Sequence, residues 1–233
     1  MTLFMIIAVL AVAIGIVLTI QNRGAAPGAV QPTLPSRTQG FDDAQMYMQT
    51  CLKESAKAAV AQLSETGDIM GLKTEKLGRG RWRAVFSASS DVPTVDRALE
   101  GLRESFLFIS SDCLKGWDFP YTLGDQDTDT KLDHINGRIR FMTYPISASS
   151  GEQSRTFDPF VNTVDYPLER YLEEARSEMD ALTMTPHQVN MSAFLAINGQ
   201  YTIRQLDDGK MDITISLDDV PGTSYSYIAE VPK

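Results

Sequence analysis

Histidine and cysteine are scarce in this chain, which contains only two of each. His134 and His187 are therefore the only side chains whose ordinary pKa suits proton transfer near neutral pH, and Asp133 is placed in sequence to orient His134. The sequence also lacks a Gly-x-Ser-x-Gly nucleophile elbow, a loop of P-loop spacing and a Cys-x-x-Cys pair. With no motif for nucleophilic catalysis, nucleotide binding or zinc, we predict that the protein is not an enzyme.

Basic residues are outnumbered by acidic ones. The chain has 21 Lys and Arg against 30 Asp and Glu, for a net charge of −9. The first forty residues contribute two arginines and no acid, so the remainder carries −11. A field of that sign repels phosphate backbones and anionic lipid head groups. We therefore expect no nucleic-acid partner and a well-solvated acidic surface.

Charge is absent from residues 3–20, which form one long apolar run. About twenty helical residues span the ~30 Å hydrocarbon core of a bilayer. A cleaved secretion signal usually has a shorter apolar core that follows a basic segment, and here no basic residue precedes the run. The sequence predicts a retained transmembrane helix over residues 1–23. Residues 1–20 of it would contact the lipid bilayer or neighbouring copies of the chain.

A linker and a head domain follow the apolar run. Residues 24–40 contain three prolines and three glycines without apolar periodicity, which indicates a flexible linker. Residues 41–233 have the patterns of a folded domain. A spacer of this composition lets such a head stand away from a membrane.

The side of the membrane that the head occupies is decided by opposing signals. The positive-inside rule, applied to Arg23 and Arg37, favours a cytoplasmic head. The spacer, the two cysteines and the N-glycosylation sequon at Asn190 favour a head outside the cell. We predict the outside placement, and a short basic leader removed ahead of Met1 would reconcile the two signals.

The head is predicted to be an α+β domain of about three helices with antiparallel strands. Apolar residues at spacings of three and four predict helices that end at Gly67 and Gly116, and a third that begins after Pro167. Alternating patterns predict strands over residues 81–89, 137–147 and 156–164 and three more near the C-terminus, "QYTIRQL", "KMDITISL" and "SYSYIAEV".

Both cysteines lie on helix faces that are predicted to be buried. Cys51 is near the middle of the first helix, and Cys113 ends the apolar stripe of the second. A disulfide between them would close a loop of about 60 residues and stabilise the fold by roughly 4 kcal/mol. The alternative is two buried free thiols. Given a head outside the cell, we predict the disulfide.

Three aspartates provide the one candidate metal site. Asp125, Asp127 and Asp129 alternate like the first ligands of a calcium loop. The pattern then departs from that loop, with Thr130 at the position of the invariant glycine and Asn136 at that of the bidentate glutamate. The two interpretations of residues 124–137 are a weak extracellular calcium site and a solvated acidic loop, and we favour the loop. We predict no other cofactor.

The aromatic residues in "KGWDFPYTLG" also have two interpretations. Trp117, Phe119 and Tyr121 form either an exposed patch for a partner or a cover over the core beside Cys113. We favour the cover.

The order of these features resembles a known group of proteins. An apolar N-terminal helix is followed by "CLKESAKAAV", by a second cysteine in "SDCLKGW", by "GRIRFMTYPIS" and by a helix containing "PLERYLEEA". This arrangement is similar to uncharacterised single-pass surface proteins of archaea with pilin-precursor-like N-terminal helices. The resemblance implies a surface-anchored head, and it supplies neither an activity nor catalytic residues.

Together these features predict a membrane-anchored extracytoplasmic protein that acts in adhesion, surface assembly or binding, with other surface proteins as partners. The alternative is a type IV pilin-like filament subunit whose apolar helices form the filament core. The linker is the main argument against that alternative, because in such filaments the apolar helix usually continues stiffly into the head.

Overall fold

The structure is a computed structural model that describes residues 40–67, 73–77, 81–116, 118–123, 130–150, 152–184, 199–206 and 210–230. The predicted transmembrane helix and all but the last residue of the predicted linker lie outside these ranges. Among the described residues, no helix combines the length and the apolar character needed to cross a bilayer.

The described part of the chain is an α+β domain with three α-helices, as predicted. They are α1 (Phe41–Thr66), α2 (Val95–Leu114) and α3 (Leu168–Met184). Asp42 and Asp43 lie in the first turn of α1, where negative charge is favourable to the helix dipole. The side chain of Thr94 caps α2 by accepting a hydrogen bond from the N–H of Arg97 at 3.4 Å. Helix α1 ends at Gly67, as the sequence predicted.

Strands numbered in chain order form three sheets in the described residues: β1 (Thr74–Leu77), β2 (Arg81–Phe86), β3 (Thr122–Leu123), β4 (Lys131–Ile135), β5 (Arg138–Met142), β6 (Ile146–Ser150), β7 (Gln153–Phe157), β8 (Val161–Asp165), β9 (Gly199–Gln205), β10 (Lys210–Leu217) and β11 (Tyr225–Glu230). The largest sheet has the order β1-β2-β11-β10-β9, and the others are β3-β6-β7 and β4-β5-β8. All pairs are antiparallel except β2 with β11, which are parallel.

Two of the predicted strands are each two strands in different sheets. The prediction over residues 137–147 was wrong in this respect, because β5 ends at Met142 and β6 begins at Ile146, after Pro145. The prediction over residues 156–164 was wrong in the same way, since β7 and β8 are separated by a segment that contains Pro159. Proline has no N–H to donate to a neighbouring strand, so both segments leave their sheet there.

Asn136 and Gly137 form the turn between β4 and β5. Asn136 and Gly137 both have positive φ, 52° and 74°, and the hairpin register is continuous from Ile135↔Arg138 to Lys131↔Met142. Two consecutive positive-φ residues match the right-handed twist of the flanking strands. Part of the segment that was interpreted as an acidic loop is therefore a strand.

One main apolar core joins the helices to the sheets. The predicted stripe of α1 is fully buried within it, and its members are Met48, Leu52, Ala56, Ala59 and Leu63. The inner face of the five-stranded sheet contributes two cross-strand rows: Tyr201, Ile215 and Tyr225, and Ile203, Ile213 and Tyr227. Residues paired in register point to the same face of a sheet. Helix α3 contacts both ends of the first row, because Glu174 accepts a hydrogen bond from Tyr201 and the ring of Tyr171 stacks with that of Tyr225.

Replacing Gly67 with alanine should destabilise the head more than the same change at Gly222. Gly67 has φ +58°, and a Cβ there would overlap the carbonyl oxygen of Ser226 in β11. Gly222 has φ +84° but has no atom within 4 Å of an added Cβ. Gly222→Ala should therefore lose only the backbone term, about 1–2 kcal/mol, and Gly67→Ala should lose clearly more. Denaturant unfolding of both variants measures the difference, and equal losses would mean that α1 does not end against β11 as described.

Candidate functional site

The predicted disulfide is confirmed. Cys51 of α1 and Cys113 of α2 are bonded, and their Cα atoms are 6.0 Å apart. Cys51 is buried and Cys113 is half-buried. Tyr47, one turn before Cys51, donates its hydroxyl to the carbonyl oxygen of Cys113 at 3.0 Å. A covalent bond and a hydrogen bond therefore join the same two helices at one point.

Aromatic side chains cover this junction, which confirms the favoured interpretation for two of the three residues. The ring of Phe119 meets the ring of Tyr47 edge-on, with centroids 5.6 Å apart, and Tyr121 stacks on Phe41 at 4.2 Å. Both Phe119 and Tyr121 pack against the main core. Trp117 lies outside the described residues.

Several predicted site residues also lie outside the described ranges. They are the candidate calcium ligands Asp125, Asp127 and Asp129, the sequon residue Asn190, and His187. The calcium site and the glycosylation site therefore stay predictions. Over the ranges that the structure does describe, no three or more His, Cys, Asp or Glu side chains are grouped so as to hold a metal ion.

Asp133 does not orient His134, so that suggestion from the sequence was wrong. The two residues are neighbours on β4, and neighbouring strand residues point to opposite faces. Asp133 instead forms an ion pair with Arg140 of β5, at 2.7 Å. His134 is opposite Ile139, and its Nε2 is buried without a hydrogen-bond partner among the described residues. This arrangement does not provide a catalytic dyad.

A buried cluster of acidic and tyrosine side chains lies beneath α3 and was not predicted from the sequence. Glu174 and Glu178 are one helical turn apart on α3, a spacing that makes their side chains neighbours. Tyr201 of β9 donates its hydroxyl to Oε2 of Glu174 at 2.7 Å. Glu178 is only 2% exposed, and its Oε2 has no hydrogen-bond partner among the described residues. This carboxylate–tyrosine cluster joins α3 to β9.

Burial sets the protonation of the cluster. Burial is the largest cause that raises the pKa of Glu178, the charge of Glu174 adds to it, and a hydrogen bond from Tyr201 opposes both, so that the pKa moves from the ordinary 4.5 to about 7. Burial and then the two carboxyl groups raise the pKa of Tyr201. The hydroxyls of Tyr225 and Tyr227 are buried without partners in the described ranges, and burial raises the pKa of both. The tyrosines are therefore neutral near pH 7, where Glu178 changes charge.

A signal for this cluster was present in the sequence. The buried stripe of α3 runs through Tyr171, Ala175, Glu178 and Leu182, at spacings of four, three and four. Glu178 is the one ionisable carboxyl on that stripe. An acidic residue at a core position predicts either a partner across the interface or an unusual pKa. Three other acidic residues of α3, Glu169, Glu173 and Asp180, are exposed, so the position of Glu178 on the buried stripe was overlooked.

The opposite face of the five-stranded sheet has paired charges. Asp212 of β10 accepts from the guanidinium groups of Arg83 and Arg204, at 3.3 Å and 3.0 Å. Lys210 pairs with Glu75 on the same face. These cross-strand ion pairs hold β1, β2, β10 and β9 in register, so the charged residues of this face have a structural role.

Comparison with known proteins gives no relative. No protein-family model, no curated protein sequence and no solved structure matches the chain. The resemblance to archaeal surface proteins stays a prediction.

Proposed function

We propose that the chain is a membrane-anchored extracytoplasmic surface protein whose head acts by binding other surface proteins, in adhesion or surface assembly, and performs no catalysis. The observation that supports this proposal best is the Cys51–Cys113 bond, which uses both cysteines of the chain. Disulfides persist in oxidising compartments outside the cytoplasm and are rare within it.

The position of the disulfide also suits a tethered head. Helix α1 begins at residue 41, directly after the predicted linker, and only residues 41–50 precede the bridge. Tension on the linker would act first on the start of α1 and would tend to separate it from the core. The disulfide attaches α1 to α2 at a point that precedes most of the buried face of α1. Tension on the linker would therefore not pull that buried face out of the core. An attachment between a membrane and an external partner needs that resistance.

The test is protease protection of intact cells. A protease added outside should cut within residues 24–40 and release a head fragment, because the linker is predicted to be flexible and exposed. The released fragment, digested without reductant, should yield one peptide pair joined through Cys51 and Cys113. A cytoplasmic protein followed in the same samples provides the control for intact membranes.

Other outcomes would reject the proposal or redirect it. A head that is cut only after lysis would contradict the external placement. A native product that is freely soluble and begins at or after Gly24 would contradict the anchor. Extended fibres seen by electron microscopy would favour the filament subunit, in which neighbouring apolar helices replace lipid.

A further inference from the structure

We propose that Glu178 makes the packing of α3 on the five-stranded sheet sensitive to pH, so that the head tightens when its surroundings become acidic. The inference rests on the carboxylate–tyrosine cluster and does not depend on where the head is located. It assigns a conformational role to a buried acid that the fold does not otherwise explain.

The geometry leaves the ionised form of Glu178 poorly compensated. Its neighbour Glu174 already accepts a hydrogen bond from the Tyr201 hydroxyl at 2.7 Å, so the two carboxyl groups share one hydrogen-bond donor. The second oxygen of Glu178 has no partner in the described part of the chain, although the residue is almost fully buried. An ionised carboxylate in such a place is unfavourable, and protonation removes the charge.

No cation from the surrounding described elements offsets the charge. On α3 itself, Arg170 forms an ion pair with Asp219 at 2.7 Å, and the guanidinium of Arg176 donates to the carbonyl oxygen of Pro93. Three nearby charged residues of the 3₁₀ turn (Ser89–Asp91) and the first turn of α2 are exposed to solvent: Asp91, Asp96 and Arg97.

The sheet presents only neutral or apolar groups to this side of α3. On β10, the residues of the inner rows are Ile213 and Ile215. The ionisable groups facing the cluster from β9 and β11 are the hydroxyls of Tyr201, Tyr225 and Tyr227. A tyrosine hydroxyl can donate a hydrogen bond, but it cannot neutralise a carboxylate.

The direction of the effect follows from linkage. Glu178 holds its proton more tightly in the packed state than in an opened one, since its pKa rises from 4.5 to about 7 on burial. The stabilisation is fully present below pH 4.5 and is lost as the pH rises to about 7. Within that window the opening constant should change by up to about tenfold per pH unit. Above the window it should level off.

The experiment is hydrogen exchange of the full chain in detergent micelles between pH 4.5 and 8, corrected for the intrinsic pH dependence of exchange. In the wild type, opening of α3 and β9 should decrease up to about tenfold per unit as the pH falls through the window. Glu178→Gln keeps the side-chain size without the charge and should respond less than about twofold per unit. Glu173→Gln, an exposed change on the same helix, should behave like the wild type.

A second variant keeps the test decisive if Glu178→Gln does not fold. Glu174→Gln removes the neighbouring charge but can still accept from Tyr201, so the upper limit of the window should move to lower pH. The inference is overturned if the Glu178→Gln protein retains the wild-type pH response. It is also overturned if the upper limit of the pH window in the Glu174→Gln protein is the same as in the wild type.

Discussion

Reduction of the disulfide should lower the free energy of unfolding of the head by about 4 kcal/mol. The bonded cysteines are separated by 62 residues in sequence, and closing a loop of that size removes much of the entropy of the unfolded chain. The loop contains β1, β2 and most of α2. Loss of the disulfide therefore affects both the packing of α1 on α2 and the five-stranded sheet. Denaturant titrations of the full chain in detergent, with and without a phosphine reductant, measure the difference.

The control for this prediction is the double variant Cys51→Ala with Cys113→Ala. It should be destabilised about as much as the reduced wild type, and reductant should change its unfolding midpoint no further. A wild-type protein whose stability changes by less than about 1 kcal/mol on reduction would show that the bond constrains little of the unfolded chain. A reductant effect on the double variant would point to a cause other than the disulfide.

The helices could be predicted because their signals are local. The stripe from Met48 to Leu63 and the stop at Gly67 are both readable within one segment, and both are as predicted. The disulfide was predictable for the same reason, since Cys51 and Cys113 each lie on the buried side of a helix. The packing of α1 against α2 and the placement of the head outside the cell had to be assumed.

The sheets could be predicted less well because their pairing is not local. Strand β11 lies parallel to β2, which is more than one hundred residues earlier, and no pattern in either strand records that partner. The division of residues 137–147 between two sheets was signalled by Pro145, but a proline at that point also fits the end of one strand. Strand β4 was hidden in a segment whose charge favoured a loop.

The carboxylate–tyrosine cluster falls between these cases. Glu178 interrupts a core stripe, and that much is local. Its partner Tyr201 comes from β9, beyond a long connection, and the sharing of one hydroxyl with Glu174 depends on where β9 joins the sheet. The sequence therefore indicated an anomalous residue without indicating what it contacts.

Replacing Phe106 with alanine should remove about 3–5 kcal/mol from the free energy of unfolding. Phe106 is 0% exposed, and its ring centroid is 5.1 Å from that of Phe141 in β5. The change leaves a cavity where α2 meets the sheet β4-β5-β8. The side chains around Phe106 belong to different elements and cannot all move inward to fill it. Denaturant unfolding of the variant, under the conditions used for the disulfide, measures the loss.

Phe108→Ala is the matched control, because the same substitution is made two residues further along the same helix. Phe108 is 77% exposed, so its removal should change the stability by no more than about 0.5 kcal/mol. A large loss at both positions would mean that the outer side of α2 is covered in the full protein, and it would identify Phe108 as part of an interface. A small loss at both would contradict the packing of α2 against β5. The unequal result is the one expected of a helix whose outer side is exposed and whose other sides join α1 to a separate sheet.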